Sequence, residues 1–91
     1  MDLSVVIATW NEAENLPPLL SELRAAIATH AIEWEIVVVD GGSKDGTEEV
    51  ARSLGCDVLR QTRPGFGAAV REGLARARGD FILTLAVSGG T

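Results

Sequence analysis

Several residue types are scarce in this sequence of 91 residues, and each scarcity excludes a class of protein. The single cysteine, Cys56, rules out an internal disulfide. The single histidine, His30, leaves no group of cysteine and histidine residues at zinc-ligand spacing. We therefore expect neither a disulfide scaffold nor a structural zinc site.

Basic residues are also few, with 8 Lys and Arg against 13 Asp and Glu and a formal net charge of −5. Binding to a nucleic-acid backbone needs a basic face, so we expect no nucleic-acid partner. An anionic ligand would have to be held by local cations. Four of these stand in or beside segments that we expect to be loops or helix starts: Lys44, Arg60, Arg63 and Arg71. For each one alone, solvated surface charge is the competing interpretation.

Long apolar runs are missing too, since no stretch approaches the roughly 18 apolar residues that a membrane-spanning helix requires. The N-terminus carries Asp2 in place of a basic region. These features predict a cytoplasmic protein without a transmembrane segment. The length limits the chain to one domain, residues 1–91, and a content of 46% hydrophobic and 23% charged residues is typical of a globular one.

The apolar residues that are present form unbroken runs at residues 3–8, 34–39 and 81–87. Runs without alternation are typical of strands that are covered on both faces in a parallel sheet. A shorter run at residues 58–59 predicts a further, short strand at a sheet edge, although an apolar loop is the alternative.

Helical periodicity occupies the intervals between these runs. In the first interval the apolar residues recur at spacings of three and four, and Asn11 or Asn15 is positioned to cap the helix. The second helix is predicted at residues 47–54 and the third at residues 66–78. The inward-facing residues of the three helices are, in order, Leu16, Leu19, Leu20, Leu23 and Ile27; Val50, Ala51 and Leu54; and Phe66, Ala69, Val70, Leu74 and Ala77. The order βαβαβαβ predicts an α/β, Rossmann-like parallel sheet with helices on both faces.

Ligands of such sheets bind beyond the carboxyl ends of the strands. Residues 8–12, 40–47 and 86–91 follow three predicted strands and are polar or rich in glycine. In the second segment Gly41, Gly42 and Gly46 permit a tight backbone path. Asp40, Ser43 and Asp45 offer acceptors for a ribose or a base, although Ser43 and Asp45 could equally cap turns.

Four segments together resemble glycosyltransferase family 2: SVVIATWNEAENL at residues 4–16, EIVVVDGGSKDGT at 35–47, PGFGAAVR at 64–71 and GDFILT at 79–84. The nearest branch is that of dolichyl-phosphate mannose synthase and related polyprenyl-phosphate sugar transferases. The resemblance implies the N-terminal, nucleotide-binding half of a GT-A fold. It also implies sugar transfer from a nucleotide-diphospho-sugar, a GDP- or UDP-sugar, with Mg²⁺ or Mn²⁺, by an enzyme that is membrane-peripheral in its full-length form.

Carried over residue by residue, the resemblance assigns seven positions to the nucleotide site: Ala8, Trp10, Glu12, Val39, Gly41, Gly65 and Gly67. Asp40 joins them as an acceptor for ribose or base. Trp10 stands where an aromatic ring commonly stacks on the base, and Gly65 and Gly67 lie at the entry to a helix whose amides favour anions. Gly41 departs from the family, which usually has Asp there.

A larger departure concerns the metal, because the family's Asp-x-Asp motif falls at Ala86, Val87 and Ser88. Divalent cations prefer hard oxygen ligands, and neither Ala86 nor Val87 has one. Among the remaining acids Glu12, Asp40, Asp45 and Asp80 could be recruited, yet each has a structural interpretation. We therefore assign no metal ligand and no catalytic residue, and we expect the chain alone, without an acceptor half, to be impaired.

Two alternatives belong to other classes. The chain could be a non-catalytic α/β scaffold or interaction fragment, including a homo-oligomer formed through a sheet edge. A dinucleotide-dependent oxidoreductase is disfavoured, because the Gly-x-Gly-x-x-Gly fingerprint should follow the first strand, where Thr9, Trp10 and Asn11 stand.

Overall fold

The structure, a computed structural model, describes residues 1–88, with side chains through Val87. The predicted polar segment at residues 89–91 and the side chain of Ser88 lie outside this description. Strands and helices alternate in the described part: β1 (Leu3–Trp10), α1 (Leu16–Ile27), β2 (Trp34–Asp40), α2 (Thr47–Ser53), β3 (Asp57–Arg60), α3 (Phe66–Arg76) and β4 (Phe81–Ser88).

The four strands form one sheet in the order β3-β2-β1-β4, and every neighbouring pair is parallel. Val5 in β1 is paired with Ile36 of β2 on one side and with Leu83 of β4 on the other. The predicted α/β fold with a parallel sheet is confirmed. The short strand predicted at residues 58–59 is β3. It lies at an edge of the sheet, as predicted, and is longer than the two residues predicted.

Helices cover both faces of the sheet, as the sequence predicted. On one face Leu16 and Leu20 of α1 and Ala51 of α2 form a buried cluster with β-strand residues such as Ile7 and Val38. On the other face Ala69 of α3 is buried against Val6, Val37 and Val39. Successive residues of a strand point to opposite faces, so the unbroken Val-rich runs of β1 and β2 supply both clusters.

The contact face of α3 is built from small residues, which corrects part of the sequence analysis. Ala68, Ala69 and Gly73 are buried, whereas Phe66 and Leu74, predicted to face inward, are 53% and 43% exposed. A Cβ added at Gly73 would lie 2.3 Å from Cγ1 of Val6, so the helix backbone approaches the sheet very closely. The larger side chains are directed away from this close contact.

Strand β4 also differs from expectation, because it is not covered on both faces. Phe81 is 76% exposed and Leu83 is 42% exposed. Within residues 1–88 the strand pairs with β1 alone. The apolar residues at its start are left open, whereas Leu85 and Val87 pack against the core cluster. The apolar run predicted the strand correctly and its burial wrongly.

Caps and connections are made by contacts that sequence patterns did not predict. Asn15 is the N-cap of α1, but its side chain makes no capping hydrogen bond and instead donates to Oε2 of Glu12 at 3.0 Å. Asn11 does not cap the helix, because its Oδ1 accepts from the backbone N–H of Lys44.

None of the helices in the described residues is long and apolar enough to cross a membrane.

Candidate functional site

A pocket of about 620 Å³ opens at the carboxyl edge of the sheet. It lies between the ends of β1 and β4 on one side and the connection from β3 to α3 on the other. Its walls come from thirteen residues: Ala8, Thr9, Trp10, Gly41, Gln61, Thr62, Arg63, Pro64, Gly65, Phe66, Ala69, Ala86 and Val87. This size and place are those of a small-molecule site in an open parallel sheet.

Asp40, at the end of β2, organises the loop beside the pocket. Its Oδ1 accepts from the hydroxyls of Thr9 at 2.8 Å and Ser43 at 2.5 Å. Its Oδ2 accepts from the backbone N–H groups of Gly42 at 3.1 Å and Ser43 at 2.8 Å. The carboxylate is fully buried, so these four bonds replace its hydration and join the end of β1 to the turn after β2.

Gln61 shapes the opposite wall, where β3 leads into α3. Its backbone N–H donates to the carbonyl of Asp40 at 2.7 Å, which extends the pairing of β3 with β2. Its side-chain amide donates to the carbonyls of Arg63 and Gly65, the latter at 2.9 Å. One side chain therefore folds residues 61–65 into a compact turn.

Glu72 of α3 holds the same turn from outside. Its two carboxylate oxygens accept from the backbone N–H of Thr62 at 2.8 Å and that of Arg63 at 3.2 Å. The bond from Thr62 is the main cause that holds the pKa of Glu72 below its usual value, and the bond and charge of Arg63 act in the same direction. The ionised carboxylate is thus the form that fixes the turn.

Two aromatic side chains project from the walls. Trp10, the last residue of β1, is 59% exposed, and Phe66, the first of α3, is 53% exposed. Large apolar side chains are normally withdrawn from water, and both of these lie beside a cavity whose base includes Ala8 and Ala69. They offer faces on which a planar ligand can stack.

The charge of the pocket is positive although the chain is acidic. Arg63 is the one ionisable residue of the thirteen that line it. The neighbouring Arg60 is turned to Glu48, to which it donates from Nε at 3.0 Å and from Nη2 at 3.2 Å, and this pairing raises the pKa of Arg60. Helix α3 begins at the pocket with Gly65 as N-cap, with no side-chain cap and no acidic residue in its first turn.

The eight predicted nucleotide-site residues fall into two groups. Ala8, Trp10, Gly41 and Gly65 line the pocket. The other four are absent from its walls: Glu12 and Asp40 are fully buried, Val39 belongs to the core beneath α3, and Gly67 is exposed on α3. The structure thus brings half of the set together and places three of the remainder in the interior.

Glu12 has an unusual environment for an interior carboxylate. It is fully buried, its Oε2 accepts from Asn15, and its Oε1 has no hydrogen-bond partner within the described part of the chain. Its backbone N–H donates to the hydroxyl of Thr47 at 2.9 Å. Buried polar atoms are nearly always satisfied, so Oε1 is an acceptor that a ligand or water can use.

Two of the three positions at which the resemblance places the metal motif, Ala86 and Val87, have no side-chain ligand for a divalent cation, and the side chain of Ser88 lies outside the described residues. Ala86 and Val87 line the pocket with alkyl side chains. Residues 1–88 contain no group of three or more His, Cys, Asp or Glu arranged to hold a metal. Asp45 accepts hydrogen bonds from Ala13 and Thr47, and the Thr47 hydroxyl is the main cause that lowers the pKa of Asp45. Asp80 lies beside the start of β4, away from the pocket.

Sequence analysis missed several wall residues, notably Thr9, Gln61, Thr62, Pro64 and Phe66. The signal that was available is positional, because residues 61–65 directly follow a parallel strand and precede a helix. That strand was predicted from only two residues, so the segment after it was not treated as a strand end.

Comparison with known proteins gives a family. The sequence pattern of the family described as "Glycosyl transferase family 2" matches residues 4–86. The undecaprenyl-phosphate 4-deoxy-4-formamido-L-arabinose transferase of Pseudomonas fluorescens is 34% identical over 90 residues, which cover 91% of this chain and 26% of the relative. A dolichyl-phosphate beta-glucosyltransferase of Trichomonas vaginalis is 34% identical over 100 residues, covering 98% and 31% respectively.

Solved structures agree with this family in fold. Mannosyl-3-phosphoglycerate synthase from Rubrobacter xylanophilus is similar with a TM-score of 0.85 at 29% identity, over 94% of this chain and 30% of that one. Glucosyl-3-phosphoglycerate synthase from Mycobacterium tuberculosis, solved with Mn²⁺, UDP and glucosyl-3-phosphoglycerate, has a TM-score of 0.77 at 27% identity, over 93% and 33%. The chain thus spans only about a quarter to a third of the length of these relatives.

Proposed function

The chain belongs to glycosyl transferase family 2, and we propose that it forms the donor-binding part of an enzyme that transfers a sugar from a nucleotide-diphospho-sugar. The acceptor in this proposal is a polyprenyl phosphate, the acceptor type in the names of the undecaprenyl- and dolichyl-phosphate relatives. Because such acceptors are lipids, we place the enzyme at the cytoplasmic face of a membrane, bound peripherally.

The observation that carries this proposal is the composition of the pocket wall. An exposed tryptophan, an arginine and an uncapped helix start lie around one cavity at the carboxyl edge of a parallel sheet. A nucleoside diphosphate has the complementary parts, a planar base and an anionic diphosphate. Its donor would be a UDP- or GDP-sugar, and the glucosyl-3-phosphoglycerate synthase of Mycobacterium tuberculosis was solved with UDP and with UDP-glucose.

Within this proposal the predicted residues act at different distances from the ligand. Trp10 stacks on the base, while Ala8, Gly41 and Gly65 allow close approach because they are small. The remaining four would act from beneath or beside the pocket. Glu12 holds the start of α1 through Asn15 and Thr47, Asp40 holds the loop, Val39 supports the floor, and Gly67 leaves the first turn of α3 unobstructed.

A fluorescence titration tests the proposal directly, because the chain has two tryptophans, Trp10 and Trp34. Trp34 packs against the core at the start of β2, so a Trp34→Phe variant leaves Trp10 as the sole reporter. We expect saturable quenching by UDP-glucose or GDP-mannose. In a calorimetric titration Trp10→Ala should weaken binding about tenfold, since stacking of a base on an aromatic ring contributes about 1–3 kcal/mol.

Trp34→Phe provides the matched control, since it alters a tryptophan remote from the pocket and should bind like the native chain. If neither nucleotide sugar binds to the folded chain at millimolar concentration, the donor-site proposal is wrong.

A second candidate is a non-catalytic α/β module, which the exposed apolar residues of β4 and the alkyl groups of Ala86 and Val87 favour. In this case the open edge pairs with a second copy of the chain, giving a homo-oligomer. Nucleotide binding distinguishes the two, because the module needs none.

A further inference from the structure

The described wall of the pocket carries a positive side chain and no carboxylate, whereas a site for a metal–diphosphate complex usually provides carboxylates for the metal. Building on the proposed donor site, we infer that this pocket takes the diphosphate of its nucleotide without a divalent cation, and that the guanidinium of Arg63 neutralises it instead. The inference depends on three features of the described residues: the absence of carboxylates from the wall, the engagement of the nearby acids, and the availability of Arg63.

The described wall residues lack the carboxylate ligands that a divalent cation usually needs. A cation that bridges a diphosphate needs oxygen ligands from the protein, usually one or more carboxylates. None of the thirteen described wall residues is an Asp or a Glu. At the end of β4, where the resemblance places the metal ligands, the side chains of Ala86 and Val87 are alkyl groups.

The acids close to the wall are engaged in hydrogen bonds that shape the neighbouring loops. Asp40 accepts four hydrogen bonds, two on each oxygen. Both oxygens of Glu72 accept backbone N–H groups of the turn that forms the wall. Turning either carboxylate towards a metal would break the loops that shape the pocket. Glu12 has one unoccupied oxygen, but it is fully buried and is not part of the wall.

Arg63 supplies a positive charge in place of the metal. The side chain of Arg63 makes no ion pair or hydrogen bond within the described part of the chain, whereas Arg60 is engaged with Glu48. A guanidinium matches two phosphate oxygens with two parallel N–H groups. The start of α3 beside it adds about half a positive charge, which is favourable to the same anion.

The test is a calorimetric titration of the chain with UDP and with GDP, once in EDTA and once in Mn²⁺. We expect the dissociation constant of the better nucleotide to be the same in both buffers. Arg63→Gln should weaken binding about tenfold or more, since it removes a charged hydrogen-bond donor from the diphosphate. Arg63→Lys should recover part of the loss because it restores the charge without the planar fork.

Arg71→Gln is the matched control, since it removes the same charge from an exposed position of α3 outside the pocket wall and should bind like the native chain. Ala86→Asp tests the end of β4: its carboxylate should repel the diphosphate in EDTA, and Mn²⁺ should restore binding. Circular dichroism confirms that each variant is folded.

The outcomes separate this inference from the function on which it rests. Binding that requires Mn²⁺ in the native chain, unchanged binding in Arg63→Gln, or unchanged binding of Ala86→Asp in EDTA would overturn the metal-free site and leave the donor-site proposal standing. Absence of nucleotide binding in both buffers would overturn both.

Discussion

Gly73 allows α3 to pack closely against the sheet because it has no Cβ. The Cβ of an alanine there would lie 2.3 Å from Cγ1 of Val6 and 3.2 Å from Cγ2 of Val39, both in the fully packed interior. Overpacking of this kind costs about 1–3 kcal/mol. We expect Gly73→Ala to lower the free energy of unfolding by that amount, measured by urea denaturation.

Gly67 supplies the comparison on the same helix, because an added Cβ there meets nothing within 4 Å. Gly67→Ala should be neutral or stabilising by up to about 1 kcal/mol, as alanine is the better helix former. Equal effects of the two substitutions would show that α3 does not contact the sheet as closely as described.

Glu72 gives the turn at the pocket a dependence on pH. Its pKa is lowered in the folded chain, first by the backbone N–H of Thr62, so the folded state favours the ionised form. Its contribution to stability is therefore complete above the ordinary carboxyl pKa near 4.5 and is lost as the pH falls through the lowered value. We expect the stability difference between the native chain and Glu72→Gln to shrink on acidification.

The measurement is urea unfolding of both proteins at several pH values between about 3 and 7, which brackets the titration of a glutamate. Titration of other acids cancels in the difference between them. A difference that stays constant across this range would refute the assigned role of Glu72.

At the scale of elements, the amino end of the sheet is held by a polar network rather than by a turn motif. Ser4 in β1 is fully buried; its hydroxyl donates to Oε2 of Glu35 in β2 at 2.6 Å and accepts from the N–H of Gly79 at 2.8 Å. Arg78 adds its own N–H at 2.7 Å and its guanidinium to the same carboxylate. Burial alone would raise the pKa of Glu35, but these donors outweigh it and lower the pKa.

Removing the hydroxyl should loosen three elements together. Ser4→Ala leaves the N–H of Gly79 and the carboxylate of Glu35 each short of a partner, which costs about 1–3 kcal/mol for a buried group. Thermal or urea unfolding checks this. Thr29→Ala removes an exposed hydroxyl that bonds only to the local carbonyl of Ala26, and we expect a change within about 0.5 kcal/mol.

The elements themselves were largely predictable from periodicity, and the reason for each miss is physical. Leu16 and Leu20 are buried as predicted because α1 covers a wide apolar surface. Phe66 and Leu74 fit the same period but are exposed, since hydrophobic spacing cannot reveal that a glycine brings the helix axis too close for large side chains. The helical period of α3 was predicted correctly, but the face that contacts the sheet is the one that carries the small residues.

The site was predictable only where it follows a strong strand. Trp10 and Gly41 lie in segments that follow long apolar runs; the parallel-sheet rule located these segments, and the family resemblance selected the two residues. Gln61 and Glu72 escaped notice because their roles depend on backbone partners supplied by the fold, in one case ten residues away along the chain. No local pattern marks a glutamate that binds two N–H groups of a distant turn.

At the scale of the whole molecule, the open apolar side of β4 makes self-association the expected behaviour. Phe81, Ile82 and Leu83 are 76%, 38% and 42% exposed on one edge strand, and exposed apolar edges pair with one another. We expect the apparent mass in sedimentation to rise with concentration.

A charge at this edge should oppose the pairing. Phe81→Lys should keep the chain monomeric at concentrations where the native chain associates. Ile32→Lys, which adds the same charge at another exposed apolar residue, 39% exposed, should associate as the native chain does. Identical sedimentation of the native chain and Phe81→Lys would count against the edge as the contact.

The position of β1 in the middle of the sheet has a consequence for the order in which the chain can fold. β1 precedes its two neighbours, β2 and β4, along the chain, and Leu3 is paired with both Trp34 and Phe81. All strand pairs are parallel, so none can form as a local hairpin, and each requires the closure of a long loop. Folding should therefore be slow for so small a chain. During synthesis, one side of β1 stays unpaired until nearly the whole described sequence has left the ribosome.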